Sequence, residues 1–248
     1  MAVKRKTTVY FGGEAHELWT ERGLEVSYTD RIAVTAEFDG KTLRAEAPEP
    51  ERGGDVKAGY NKRAKSLELA VRLNAGAVSA LTGAYFRAAA ELGVLLGSRF
   101  DWHTLPERFQ REINGGVDAI APVELLRILL DEKRAGWDEA FDIVSHCFTL
   151  RLAGRDSTAP VPLAAVKAIH MRDASLINAV NEKFCSRLWG VWPGDWLRIG
   201  ESAVVRDGEA DLTLLAAVMC SRVYCAKEEL VGALRTLYTV EPARFVEV

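Results

Sequence analysis

From Thr7 to Ala47 the chain alternates between apolar and polar positions with a period near two. TTVYF (Thr7 to Phe11), LEVSYTD (Leu24 to Asp30), RIAVTAEFD (Arg31 to Asp39) and KTLRAEA (Lys41 to Ala47) are rich in β-branched and aromatic residues, with Gly-Gly and Asp-Gly turn signals near their ends. Four strands are predicted there. PEPERGGD (Pro48 to Asp55) is a polar Pro/Gly-rich breaker, and from Tyr60 onward the apolar period lengthens to about 3.6.

Helices are predicted over Asn61 to Leu73, Val78 to Leu96 and Ala121 to Glu132, the last stopped by Gly136, and over Trp137 to Phe148, where Trp137, Ala140, Phe141 and Val144 fall on one side. A Pro-containing loop, Ala153 to Pro162, leads into a long helical stretch from Leu163 to Trp189, and Trp192 to Asp195 form a turn. Further helices are expected over Asp211 to Cys220 and Ala226 to Tyr238, before an extended end from Glu241 to Val248. Short extended pieces, Phe109 to Asn114 and Thr149 to Ala153, interrupt the helices. Strands followed by helices with interspersed strands predict an α/β layered domain, with α+β as the alternative. The chain reads as one domain over residues 1–248, β-rich over 1–55 and mainly helical over 56–248.

Composition narrows the function classes. Lys+Arg 32 against Asp+Glu 35 leaves a net charge of −3, which argues against a broad footprint on nucleic acid or anionic lipid. The N-terminal stretch turns polar without an apolar core region, so no secretory leader is expected, and no apolar run approaches the roughly 20 residues of a membrane span. Cys147, Cys185, Cys220 and Cys225 include no C-x-x-C pair. The expected compartment is the cytoplasm.

Candidate chemistry is sparse. His16, His103, His146 and His170 are dispersed and form no H-E-x-x-H or i,i+4 pair, so no metal is expected. His146-Cys147 are adjacent on a helix and point about 100° apart, which suits a core cysteine better than a base and nucleophile. Asp138, Glu139 and Asp142 read as a helix start favoured by the macrodipole rather than a catalytic pair. Trp189, Trp192 and Trp196 are unusually dense. Trp192 reads as packing, whereas Trp189 and Trp196 are candidates for an exposed platform for a sugar ring or a partner. The basic residues Lys57, Lys62, Arg63, Lys65 and Arg72 read by default as a solvated helix face, with Lys62, Arg63 and Lys65 as candidate contacts to a dimer mate or acidic partner.

The stretch Ile113 to Phe148, INGGVDAIAPVELLRILLDEKRAGWDEAFDIVSHCF, resembles the glycogen (α-glucan) phosphorylase family in its A-I-P-E-L-x-R-x-L-x-D helix followed by W-x-x-A-W/F. The matching residues are Asn114, Ile120, Ala121, Glu124, Leu125, Leu126, Arg127, Leu129, Asp131, Trp137, Ala140 and Phe141. Downstream, Ser175 to Phe184 is similar to the helix Q-I-I-x-E-I-N-x-R-F, Trp192 to Val205 to the F/W-P-G-D segment and its strand, and Leu214 to Leu234 holds the place of the M-A-x-L segment. Val240 to Phe245 is similar to E-P-x-K-F. Upstream, Ala84 to Leu96 resembles E-Y-F-x-x-A-A-x-L-x-D-I, and the early strands resemble the glucan-side domain.

The resemblance implies a fold like the later part of the family's first domain, and places the basic helix at the family's subunit-contact helix. It also implies losses. The family transfers glucosyl units between α-1,4-glucan and phosphate with pyridoxal phosphate, held in a second domain for which this sequence has no counterpart. The G-N-G-G-L-G segment has no counterpart either. N-D-T-H-P is replaced by Asn114-Gly115-Gly116-Val117-Asp118, T-N-H-T by Leu150-Arg151-Leu152-Ala153, and S-H-x-V-N-G by Ser221-Arg222-Val223-Tyr224-Cys225-Ala226. The expectation is a noncatalytic, phosphorylase-like chain without cofactor, acting as a binding or assembly subunit with a protein partner or as a homo-oligomer. The alternatives are an α-glucan-binding module and one half of a split phosphorylase.

Overall fold

The computed structural model describes residues 5–21, 23–38, 42–49, 56–97, 100–152 and 160–248. Most of the breaker (Pro50 to Asp55) and of the loop from Ala153 to Ala159 lie outside the described residues, as do Asp39 and Lys41 at predicted strand ends. The fold is mixed α/β, as the patterning predicts, and its contacts group into two compact units.

The first unit comprises residues 1–100 and Ala168–Met171. Strands β1 (Arg5–Phe11), β2 (Glu14–Thr20), β3 (Gly23–Thr29), β4 (Ile32–Phe38) and β5 (Leu43–Glu46) precede helices α1 (Val56–Asn74) and α2 (Ala80–Leu95). β1 pairs antiparallel with β4, and β4 with β5. The Gly-Gly signal is not a hairpin turn. Gly12 and Gly13, at φ 61° and 80°, lie between the Phe11↔Ile32 and Glu14↔Thr29 pairs and redirect the chain from the three-stranded sheet into a separate hairpin, β2–β3. A side chain on Gly13 would meet the Thr29 carbonyl at 2.3 Å, so glycine is required at this bend. The alternation predicts no strand over Glu14–Thr20, because that strand is exposed on both faces and has no apolar period to display.

Helix α2 packs its alanine-rich face on β1, with Gly93 so close that a Cβ would lie 2.5 Å from Thr7 Oγ1. Tyr85 donates from its hydroxyl to the Tyr10 carbonyl at 2.8 Å and meets Phe11 edge-on, while the Asn74 side chain bonds both backbone groups of Ala45.

The second unit holds a four-stranded parallel sheet in the order β12-β11-β7-β6, formed by β6 (Arg111–Ile113), β7 (Phe148–Arg151), β11 (Arg222–Cys225) and β12 (Phe245–Glu247). Its helices are α3 (Leu105–Arg108), α4 (Ile120–Arg127), α5 (Trp137–Cys147), α6 (Leu163–Ile169, which runs into the first unit at Ala168), α7 (Met171–Val191), α8 (Trp196–Glu201), α9 (Leu212–Met219) and α10 (Gly232–Val240). β8 (Val161–Pro162), β9 (Val205–Arg206) and β10 (Glu209–Ala210) form a small antiparallel sheet, with Asp207 and Gly208 at φ 51° and 81° making the tight turn. Every residue of α4 and of α9 is buried, as expected of helices that cover a parallel sheet.

Several boundaries differ from the periodicity. The predicted helix over Ala121 to Glu132 ends in a π turn, Ile128–Glu132, and Arg134 at φ 59°, not Gly136, ends it; Gly136 instead precedes α5. The stretch from Leu163 to Trp189 breaks at His170 into α6 and α7. The stretch from Ala226 to Tyr238 splits into a 3₁₀ turn at Lys227–Glu229 and α10, which Gly232 opens at φ 51°. β11 is absent from the sequence reading, because its four residues follow the all-apolar α9 and show no separate period. No helix among the described residues is long and apolar enough to cross a membrane.

Two arginines buried in the second unit are paired with carboxylates. Arg127 donates to both Glu124 oxygens at 2.7 and 2.9 Å and to Glu132 at 2.8 Å. Arg172 on α7 donates to Asp131 in the π turn at 3.1–3.3 Å, with both side chains at most 7% exposed. Removing one member strands a buried charge, so Asp131→Ala is expected to lower unfolding free energy by about 3–5 kcal/mol. The double change Asp131→Ala, Arg172→Met is expected to recover much of that loss in urea titrations.

Candidate functional site

In an open parallel sheet, ligands bind beyond the carboxyl ends of the strands. The segments there are Asn114-Gly115-Gly116 after β6, Leu152 after β7 and Ala226 after β11. Gly115 and Gly116 take φ 82° and 56°. The Gly116 amide donates to Thr213 Oγ1 of α9 at 3.0 Å, and a side chain on Gly115 would lie 3.1 Å from that hydroxyl. Arg151 donates to Glu112 at 2.9 Å and lies 5.0 Å above the Tyr224 ring. The Glu112 carboxylate raises the Arg151 guanidinium further above its ordinary range. Leu152 is tied through its amide to the Tyr224 carbonyl, and the Ala226 amide donates to Glu229. Polar groups at this rim therefore bond to one another.

Most of the polar residues shared with the family motifs have structural partners; the exposed Asn114 is the exception. Glu124 and Arg127 pair with each other and Asp131 with Arg172, as described above. Asn181 Oδ1 accepts from the Val205 amide at 3.1 Å, and Asp195 caps α8 through the Arg198 amide. Glu241 pairs with Arg187 and Arg244, and Arg244 in turn donates to the Val218 and Cys220 carbonyls at the end of α9. Sequence reading did not single out Arg172 or Arg244; the only signal was that a buried carboxylate or helix end needs a donor.

The structure brings Trp189 and Trp196 together. The Pro193-Gly194 turn, with Gly194 at φ 84°, swings α8 back so that the two indoles stack at 4.3 Å and 29°. Trp196 is 71% exposed, and Val191 and Leu197 beside the pair are exposed as well. Trp192, half-buried, lies under the Arg198 guanidinium at 4.7 Å.

Lys62, Arg63 and Lys65 are exposed on α1, and the side chain of Lys57 lies outside the described residues. The helix buries only Ser66 and Ala70 among its described side chains, while Tyr60, Leu67 and Val71 remain exposed at spacings of seven and four. Asp138 and Glu139 are exposed at the start of α5. His146 is exposed and bonded to the Asp142 carbonyl, whereas Cys147 is fully buried. Burial pushes the Cys147 and Cys220 thiols up to about 12. The adjacent histidine and cysteine therefore form no reactive pair.

The sequence profile of the carbohydrate phosphorylases matches residues 73–245. The chain belongs to that family. It is 31% identical over 149 residues to glycogen phosphorylase of Bacillus subtilis (strain 168), covering 58% of this chain and 19% of that protein. It is 24% identical over 157 residues to the brain form of glycogen phosphorylase of Bos taurus, covering 59% and 19%, and 25% identical over 122 residues to the muscle form of Ovis aries, covering 48% and 14%. The matched stretch is thus about a fifth or less of these relatives. Carbohydrate phosphorylase membership explains why the motif residues fall in the same order, and the ion pairs above show what each contributes to the fold.

The two buried thiols give a pH signature. Each stays protonated in the folded protein to about pH 12 but ionises near the ordinary thiol value of 9.0 once unfolded. Their stabilising contribution is complete below pH 9 and is lost as pH rises toward 12. Native Cys147 and Cys220 should resist a thiol-specific disulfide reagent at pH 8 and react fully in denaturant. Replacing both by Ala should flatten the fall of unfolding free energy between pH 9 and 12.

Proposed function

We propose that this phosphorylase-family chain is a noncatalytic binding and assembly subunit, and that the outward face of α1 is its contact surface. The observation that carries the reading is the stripe of Tyr60, Leu67 and Val71, 74%, 56% and 59% exposed, on a helix of 19 residues bearing Lys62, Arg63 and Lys65. An apolar row with charged neighbours is the composition of a helix that packs against another protein. Two features of the strand ends support the absence of glucosyl transfer. The N-D-T-H-P, T-N-H-T and S-H-x-V-N-G motifs of the family are all replaced at these strand ends, and Arg151, Glu112 and Thr213 there are engaged internally.

A second reading rests on the Trp189–Trp196 stack. Trp196 is 71% exposed beside its stacked neighbour, and an exposed indole face accepts the apolar face of a glucosyl ring. This reading makes the chain an α-glucan-binding module.

The expected result in sedimentation equilibrium is a weight-average mass that rises with concentration above the 27.3 kDa of one chain. Leu67→Glu with Val71→Glu should return it to one chain without altering the circular dichroism spectrum. A monomer at every concentration, together with phosphate-dependent release of glucose 1-phosphate from glycogen, would overturn the assembly reading. For the glucan reading, migration through a glycogen-containing native gel should be retarded and Trp196→Ala should abolish the retardation; equal mobility with and without glycogen would sink it.

A further inference from the structure

The reactivity of an asparagine depends on the backbone amide that follows it. The chain holds five asparagines, and four of them, Asn61, Asn74, Asn178 and Asn181, lie in α1 and α7. In a helix the next amide is held by a carbonyl of the preceding turn and is kept from the asparagine side chain. At the end of α1, for instance, the Ala75 amide donates to the Val71 carbonyl at 3.0 Å. Asn74 and Asn181 are restrained further, by bonds to the backbone of Ala45 and to the Val205 amide.

Asn114 differs on each count. It follows β6 outside any helix, it is exposed, and its side-chain amide has no hydrogen-bond partner among the described residues. The next residue is glycine, and this is the one Asn-Gly pair in the sequence. The pair exists because Gly115 stands where the motif N-D-T-H-P has its aspartate. Without a Cβ, Gly115 puts no side chain in the way of an approach of its nitrogen to Asn114 Cγ, and its φ of 82° is one that glycine adopts without strain. The bonds that anchor the loop begin beyond that nitrogen. The Gly115 carbonyl accepts from the Asp118 amide at 3.3 Å and the Gly116 amide donates to Thr213 at 3.0 Å, and neither bond uses the Gly115 N–H.

We propose that Asn114 is a self-modification site, at which the chain deamidates without an enzyme. The Gly115 nitrogen gives its proton to hydroxide and attacks Asn114 Cγ. The new N–Cγ bond closes a succinimide ring, the Cγ–Nδ2 bond breaks, and Nδ2 leaves as ammonia. Water then adds to one of the two ring carbonyls. Opening at Cγ yields aspartate, and opening at the main-chain carbonyl yields isoaspartate, whose backbone runs through Cβ and Cγ. The balance is one amide and one water to one carboxylate and one ammonium, with no oxidant or reductant. Either product adds a negative charge at the carboxyl end of β6, and the iso form also lengthens the main chain by one carbon just before the anchored glycines. The site is independent of what the α1 face or the tryptophan corner binds.

Peptide mapping of the full chain tests this. After incubation of the native protein in mildly alkaline buffer, the tryptic fragment Glu112–Arg127 should elute as aspartate and isoaspartate forms beside the original, each with the mass gain of an amide turned into an acid, and the intact chain should focus at a more acidic position. Rearrangement at Asp207-Gly208 loses and regains water, leaves the mass unchanged and is not mistaken for it. Asn114→Gln, with its fold checked by circular dichroism, closes a less favoured larger ring and should lose both the modified fragments and the acidic shift. The same fragment cut from fresh protein and incubated alone sets the time scale. If the native chain keeps Asn114 intact after the free fragment has been converted, the inference fails. It fails equally if acid forms first at Asn61 or Asn178, or if folded Asn114→Gln acidifies at the wild-type rate.

Discussion

A charge removed from water must meet an opposite charge or enough hydrogen bonds, and that requirement organises the second unit. Helix α4 is buried along its whole length yet carries Glu124 and Arg127, and the π turn that follows carries Asp131. The Glu124–Arg127 bond joins adjacent turns of the helix, and Asp131 reaches Arg172 at the start of α7. The second pair fixes where α7 begins relative to the sheet-covering helix. From there α7 runs 21 residues to the tryptophan corner, so the placement of that corner is inherited from an ion pair at the other end of the helix.

The same requirement separates what this chain shares with other phosphorylases from what it does not. Polar positions with an internal partner, such as Asn181 against Val205 and Glu241 against Arg187 and Arg244, follow the family pattern. The strand-end segments that stand in place of N-D-T-H-P, T-N-H-T and S-H-x-V-N-G do not. There Arg151 bonds Glu112, and the Gly116 amide bonds Thr213.

The elements that bury one clear face were legible in the sequence. β4, α2 and α5 fall within a few residues of where their periodicity puts them, since Val34 and Ala36, Ala84 and Ala88, and Ala140 and Val144 all point inward. Illegible were elements with no contrast between faces: β2, exposed on both sides, and β11, short and following the fully apolar α9. The π turn was illegible for another reason. It carries the long-range Asp131–Arg172 pair, 41 residues apart, which no local window contains. The density of tryptophan singled out Trp189 and Trp196 as a candidate platform, but their stacking on each other depends on the Gly194 turn, which no local pattern displays. The apolar stripe on α1 was hidden because the basic residues around it dominate the composition of that helix.

The stacked indoles at the α7–α8 corner have an optical consequence. Two chromophores held 4.3 Å apart at a fixed 29° do not absorb independently, and their coupled transitions impart a split circular dichroism band to a protein with only six tryptophans. The corner thus reports its own geometry. Any event that separates Trp196 from Trp189, whether a ligand sliding onto the exposed face or a loosening of the Gly194 turn, is visible in that band without a label.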